Sequence, residues 1–262
     1  LNNGDLFFAL KGPSFNGNEF AEKAIESGAA YAVIDNEQYA VPGKTILVED
    51  VLSTLQQLAR HHRDQFNIPF IAITGSNGKT TTKELIHAVL SSSYKTYTTE
   101  GNLNNHIGVP LTLLRIKKDA EMAVIEMGAN HLKEIESYCA IANPTHGLIT
   151  NCGKAHLEGF GSEEGVRKGK GELFDHLRNN KGTAFVMWDY DYLRGMSSGI
   201  KEIKTYGTKD ADLIGNAAGG TEYLHVNFTK GFDGSINTNL VGDYNFPNVL
   251  AAVSVGKYFD VN

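Results

Sequence analysis

Cysteine is scarce in this sequence, tryptophan occurs once, and long apolar runs and basic tracts are missing altogether. Cys139 and Cys152 are the two cysteines among 262 residues. They form no C-x-x-C or other metal-ligand spacing, which argues against a disulfide framework and a structural zinc site. Reduced thiols are expected, as in a cytoplasmic protein. No run of about 18 apolar residues occurs, so a membrane-spanning helix and a membrane partner are not expected. The opening LNNGDLFFALKG has neither a basic stretch nor an apolar core, so no secretory signal is read there. It begins on Leu1, and further chain upstream is expected. Lys and Arg total 24 against 30 Asp and Glu, for a net charge of −6. They are scattered, which argues against a nucleic-acid surface. Internal repeats and low-complexity stretches are also lacking.

What is present is an ordinary globular composition, 41% hydrophobic, in a length that suggests about two domains at roughly 150 residues each. Residues 1–67 read as a small α/β domain. FAEKAIESGA puts Phe20, Ala24 and Ile25 at a helical period closed by Gly28. AAYAVI (29–34) and TILVED (45–50) are β-prone. A helix over 51–66 carries Val51, Leu55, Leu58, Ala59 and His62 on one face. Asn67 to Pro69 reads as a linker, and residues 68–262 as a second domain. There, apolar runs at 69–74, 121–127, 145–151 and 183–188 alternate with helical stretches near 80–90, 105–114, 131–140 and 163–178. Residues 200–241 read as short strands with glycine-rich turns, and 244–259 as a helix. Strand alternating with helix implies a mostly parallel sheet covered on both faces.

TGSNGKTTT (74–82) lies between a buried strand and a helix. Backbone N–H groups of Gly75, Ser76, Asn77 and Gly78 in such a turn can surround phosphate oxygens. Lys79 can bring an ammonium to the terminal phosphates, and the hydroxyl of Thr80, followed by Thr81, can ligate Mg²⁺. The loop is a shortened G-x-x-G-K-T, because Ile73 stands where the longer P-loop string has its first glycine. The bland alternative is a plain turn from strand to helix.

Ligands of open parallel sheets gather at the carboxyl ends of strands. Glu126 ends the strand AVIEM beside this loop, placed to ligate a magnesium ion shared with phosphates; alone it would read as a surface or capping carboxylate. NCGKAHLEGFGS (151–162) leaves another strand end, and its His156 either contacts metal or phosphate or bonds backbone. Lys170 falls within the apolar stripe Val166, Leu173, Phe174 and Leu177 of a glycine-containing helix. It either snorkels to solvent or needs a partner or a modification. Asn102, Asn104 and Asn105, and later Asn245 and Asn248, precede or open helices. They either cap those helices or bind a polar ligand.

Taken in order, GDLFFALKGPSFNGNEF, ITGSNGKTTTKE, GNLNNHIGVPLTLL, AVIEMGANHLKEI, AHLEGFGS, KGKGELF and YNFPNVLAA resemble the Mur ligase family of peptidoglycan synthesis across nearly the whole chain. GNLNN-x-IGVP, EMGANH and AHLEGFGS point to its dipeptide-adding branch. The resemblance implies an ATP-dependent, ADP-forming amide ligase using ATP and two Mg²⁺ ions. Its substrates would be UDP-N-acetylmuramoyl-tripeptide and D-Ala-D-Ala, in a cytoplasmic monomer. Lys79, Glu126, His156 and a carbamylated Lys170 would be catalytic. Thr80, Glu126, His156 and Lys170 would hold metal, and Asn245 and Asn248 the adenine, although Tyr244 stands where relatives often carry His. Asn102, Asn104 and Asn105 would face the UDP-sugar-peptide. The family's third, Rossmann-like domain is not in these 262 residues, so the chain alone is expected to be inactive. The alternatives are another amino-acid ligase of the superfamily, or a nucleotide-binding module without chemistry.

Overall fold

Short apolar runs become strands wherever a helical stretch separates them, and they do so in two units. The structure is a computed structural model that describes residues 1–153, 157–218 and 222–261. The units are Leu1–His62 and Arg63–Asn262.

The first unit contains β1 (Leu6–Phe8), the hairpin β2 (Lys11–Gly12) and β3 (Phe15–Asn16), α1 (Ala21–Glu26), β4 (Tyr31–Ile34), β5 (Thr45–Leu47) and nearly all of α2 (Val51–Arg63). Its parallel sheet has the order β1-β4-β5. Ala9, Ala21, Ala32, Val33, Ile34 and Val51 form its core. Leu55 and Ala59 continue the buried stripe of α2, as the helical period predicts, but Leu58, placed on the same face by its spacing, is exposed. Phe20 departs from expectation: it is 42% exposed and stacks on Phe15 at 5.4 Å. A 3₁₀ turn over Gly17–Phe20 precedes α1 and carries Phe20 off the face shared by Ala24 and Ile25.

The second unit runs β6 (Phe70–Thr74), α3 (Lys79–Ser91), β7 (Thr96–Thr98), α4 (Gly108–Leu114), β8 (Met122–Glu126), α5 (Glu134–Ala142), β9 (His146–Ile149), α6 (Leu157–Phe160), α7 (Glu163–Asn179), β10 (Thr183–Met187), α8 (Asp191–Met196), β11 (Glu202–Gly207), β12 (Leu213–Ala218), β13 (Tyr223–Lys230), β14 (Ser235–Val241) and α9 (Phe246–Tyr258). They build a nine-stranded sheet in the order β14-β13-β12-β11-β10-β9-β6-β8-β7. Pairing is parallel from β7 through β12, and β13 and β14 add an antiparallel edge. Every residue of β6, β8 and β10 is buried, as strands covered on both faces must be. α3 and α9 pack together, and α9 is apolar almost all round because it also packs on β10, β11 and β12. α7 packs on α5, β6, β9 and β10.

The topology positions the site. From β6 the chain goes first to β7 and β8 on one side, then returns past β6 to β9, β10 and β11 on the other. The carboxyl end of β6 therefore opens at the point where strand order reverses, the place such sheets bind ligands. In register, Ile73 of β6 pairs with both Glu126 of β8 and Leu148 of β9.

His146 opens β9 in an aromatic nest, with its ring centroid 5.0 Å from that of Phe259 and 5.4 Å from that of Tyr258. Its Nδ1 lies 2.8 Å from Thr145 Oγ1. Burial pushes its pKa down to about 4, against a weaker upward pull from Glu202. The unfolded chain therefore binds a proton on this ring before the folded one does, and stability falls as pH drops from 6.5 toward 4. Between pH 7 and pH 5 the histidine should cost about 2 kcal/mol. Urea denaturation at the two pH values should show a correspondingly smaller fall for His146→Phe, and an equal fall would refute this account.

Candidate active site

Three neighbouring strand ends, those of β9, β6 and β8, surround the G-x-x-G-K-T loop. The loop leaves β6 at Gly75, whose φ of +147° suits glycine. A Cβ there would lie 2.0 Å from Thr150 Oγ1, so position 75 excludes any side chain. The residues after β9 bind the loop from the other side. Ser76 N–H donates to Asn151 O at 2.9 Å. Thr150 Oγ1 donates to Asn77 O at 2.6 Å, and Asn77 N–H donates to Asn151 Oδ1 at 3.1 Å. Gly153 N–H donates to Ser76 Oγ at 3.0 Å. Protein groups on both sides thus brace the loop.

Lys79 and Thr80 open α3. The Lys79 ammonium curls back to the loop, donating to Gly75 O at 2.9 Å and Ser76 O at 3.1 Å. Burial lowers its pKa, and the negative charge of Glu126 opposes that fall. Glu126 ends β8 and is 1% exposed. Its Oε1 accepts from Thr80 Oγ1 at 3.2 Å and from Asn104 Nδ2 at 2.8 Å. Its backbone N–H donates to Thr99 Oγ1 at 3.0 Å. Its Oε2 is buried and has no hydrogen-bond partner among the described residues. A buried carboxylate oxygen left unpaired is expensive, and a hard cation beside phosphate oxygens is the partner that fits it.

Lys170 lies on the buried stripe of α7 and is 1% exposed, which rules out snorkelling. Its Nζ donates to Ala129 O at 2.7 Å, three residues beyond Glu126, and sits 5.1 Å from the Phe160 ring centroid. Gly169 makes room for that ring, since a Cβ there would stand 2.4 Å from it. Burial, then the charge of Lys79, push the Lys170 pKa down to about 8. His156 lies outside the described residues. Among those described, no three His, Cys, Asp or Glu side chains are grouped to hold a metal.

A cavity of about 640 Å³ adjoins the loop at Asn77, Gly78 and Thr81. Asn245 and Asn248 line it and are both buried. Asn248 Oδ1 accepts from Thr82 Oγ1 of α3 at 3.1 Å, and its Nδ2 donates to Asn245 Oδ1 at 3.1 Å. Tyr244, 78% exposed, stands at the same cavity. Its far wall holds residues the sequence reading missed: Asp189, Tyr190 and Thr208. Asp189 stands two residues beyond the end of β10, and both its oxygens accept from Thr208 N–H. The strand-end rule that marked Glu126 applies equally here. The three asparagines before α4 separate in role. Asn104 serves Glu126. Asn105 Oδ1 caps α4, accepting from Ile107 and Gly108 N–H at 3.1 and 2.9 Å. Asn102 is exposed.

Such an arrangement is a phosphate-binding loop with a carboxylate and a buried lysine, on a parallel α/β sheet. The Mur ligase middle domain matches residues 73–256, and the Mur ligase family catalytic domain matches residues 1–63. The chain belongs to the Mur ligase family. It is 38% identical over 267 residues to the UDP-N-acetylmuramoyl-tripeptide–D-alanyl-D-alanine ligase of Bacillus subtilis, covering 98% of this chain and 56% of that protein. The Escherichia coli enzyme of the same name is also 38% identical, with 99% and 59% covered. The crystal structure of MurF ligase from Thermotoga maritima in complex with ADP superposes with a TM-score of 0.88 at 29% identity, covering 100% of this chain and 62% of that one. The chain thus spans somewhat over half the length of the curated relatives it matches.

Gly75→Ala should destabilise the second unit by about 2–3 kcal/mol, through its positive φ and the clash with Thr150. Chemical denaturation measures this, and a loss below about 0.5 kcal/mol would contradict the tight loop.

Proposed function

We propose that this chain is the substrate- and nucleotide-binding part of an ATP-dependent, ADP-forming amide ligase. That ligase adds D-Ala-D-Ala to UDP-N-acetylmuramoyl-tripeptide in peptidoglycan precursor synthesis. The observation that carries the reading is the buried Glu126 carboxylate, one oxygen unpaired, beside Lys79 and Thr80 in a chain of this family. The similarity to D-Ala-D-Ala ligases over nearly the full chain supports the choice of substrates.

A carboxylate resists attack by an amine because it is anionic and has no leaving group. One oxygen of the tripeptide carboxylate attacks the γ-phosphorus, the bond to the bridging β-γ oxygen breaks, and ADP departs. The amine of D-Ala-D-Ala then adds to the acyl phosphate, loses a proton and expels phosphate, leaving an amide. The protein's part is positioning and neutralisation of charge. The loop amides from Gly75 to Gly78 cradle the phosphates, those of Ser76 and Asn77 giving up their bonds to Asn151, with Thr80 and Thr81 following at the start of α3. Lys79 exchanges its contacts to Gly75 and Ser76 for the γ-phosphate. Asn245 and Asn248 line the cavity that takes the adenine, with Asp189 also in its lining. Asn102 would contact the UDP-sugar-peptide, while Asn104 holds Glu126 and Asn105 the start of α4.

Two like charges about 4 Å apart repel by about 4 kcal/mol at an effective dielectric near 20. Mg²⁺ supplies the positive charge that lets triphosphate and carboxylate approach. Thr80, Glu126, His156 and a carbamate on Lys170 would hold two such ions. The unpaired Glu126 Oε2 fits that role. The Lys170 amine, its proton affinity lowered by burial, adds to CO₂ with release of a proton and so becomes an anion. The enzyme would act as a cytoplasmic monomer.

Calorimetric titration of this chain with ADP and Mg²⁺ should give saturable binding. Lys79→Ala should weaken it about ten- to hundredfold, the worth of charged hydrogen bonds to phosphate. In the whole ligase, steady-state release of phosphate should require D-Ala-D-Ala and not single amino acids. A folded chain that binds no ADP, or equal stimulation by single amino acids, would overturn the reading.

A further inference from the structure

Lys83 is one helical turn beyond Lys79 on α3, has no exposed surface, and is absent from every role given so far. Its Nζ donates to Thr99 O at 2.7 Å and pairs with Glu84 Oε1 at 2.6 Å. Glu84 is exposed, so the ammonium is neutralised at the surface end of its reach while its stem and head are buried. A buried charge is a costly way to fill space that methionine or leucine would fill. Its retention is explained if the ammonium holds something that an apolar side chain cannot hold.

What it holds is Thr99. This residue follows β7, a three-residue strand at the edge of the sheet. Short edge strands are the least constrained part of a sheet. Thr99 is nevertheless fully buried and tied at three points. Its N–H donates to Val124 O at 3.1 Å, its carbonyl accepts from Lys83, and its hydroxyl accepts from Glu126 N–H at 3.0 Å. Asn104 and Thr80 engage Glu126 Oε1, and Thr99 fixes the backbone from which that carboxylate springs. The same helix thus offers Lys79 and Thr80 to the loop and, one turn on, braces the strand end beside it.

We infer that Lys83 is a positioning residue for the metal-facing carboxylate: through Thr99 it locks the end of β8, so that Glu126 presents Oε2 to a divalent cation. This rests on the reading of Glu126 as a metal ligand. Outer partners of metal ligands typically contribute ten- to hundredfold to metal affinity.

The test is Mn²⁺ binding to this chain saturated with ADP, followed by the electron paramagnetic resonance of free Mn²⁺, with metal-free ADP affinity measured alongside. Lys83→Met should raise the Mn²⁺ half-saturation about tenfold and change metal-free ADP affinity less than twofold. In a Glu126→Gln background the same substitution should have no further effect on Mn²⁺, which a merely structural role would not produce. Thr99→Val, which removes the hydroxyl that accepts from Glu126, carries the same expectation if Lys83→Met does not fold. Unchanged Mn²⁺ binding in Glu126→Gln would overturn the metal-ligand reading and this inference with it. Weakened Mn²⁺ binding in Glu126→Gln but not in Lys83→Met or Thr99→Val would overturn the inference alone. Equal loss of ADP and Mn²⁺ affinity in Lys83→Met would do the same.

Discussion

A carboxylate held out of water with half of its hydrogen-bonding capacity unused is the constraint around which the second unit is organised. Glu126 sits at the end of a strand buried on both faces, where bulk solvent cannot satisfy its Oε2. Among the described residues, the surrounding groups occupy only Oε1 and the backbone N–H. An apolar residue there would make a more stable sheet. A buried carboxylate oxygen of this kind, beside a loop of backbone amides, is a place that a hard cation would suit.

Stability and function pull against each other at Lys170 in a similar way. An amine buried on the inner stripe of α7 carries a desolvation cost, visible in its lowered proton affinity. Its hydrogen bond to Ala129 O and its approach to the Phe160 ring offset part of that cost. Both partners lie on segments that run along the site, Ala129 just after Glu126 and Phe160 just before α7. The lysine therefore ties α7 to the strand end whatever its chemical state.

Much of this could be read from the sequence, for a physical reason. Strands buried on both faces are continuous apolar runs, so β6, β8, β9 and β10 stand out, and the residues that leave their carboxyl ends are marked in advance. Gly75, Lys79, Thr80 and Glu126 were legible in this way. Lys170 was legible because a charge on an apolar stripe is an anomaly. The short edges were not: β1 and β7 have three residues each and no periodicity to detect. Asn104 and Asn105 look alike in sequence, and only tertiary contact separates a carboxylate partner from a helix cap. Lys83 was hidden because its neighbours in the run TTTKE are polar, so nothing local shows that position to be fully buried. Asp189 obeyed the same strand-end rule as Glu126 but lay two strands away from the loop.

The bond between Thr82 and Asn248 has a consequence of a different kind. It joins the helix that begins at the phosphate loop to the helix that lines the cavity. Two packed helices fastened at that point hold the loop and the cavity wall at a fixed separation. Such a fastening keeps the two from shifting independently, so that any molecule reaching both would meet one set distance.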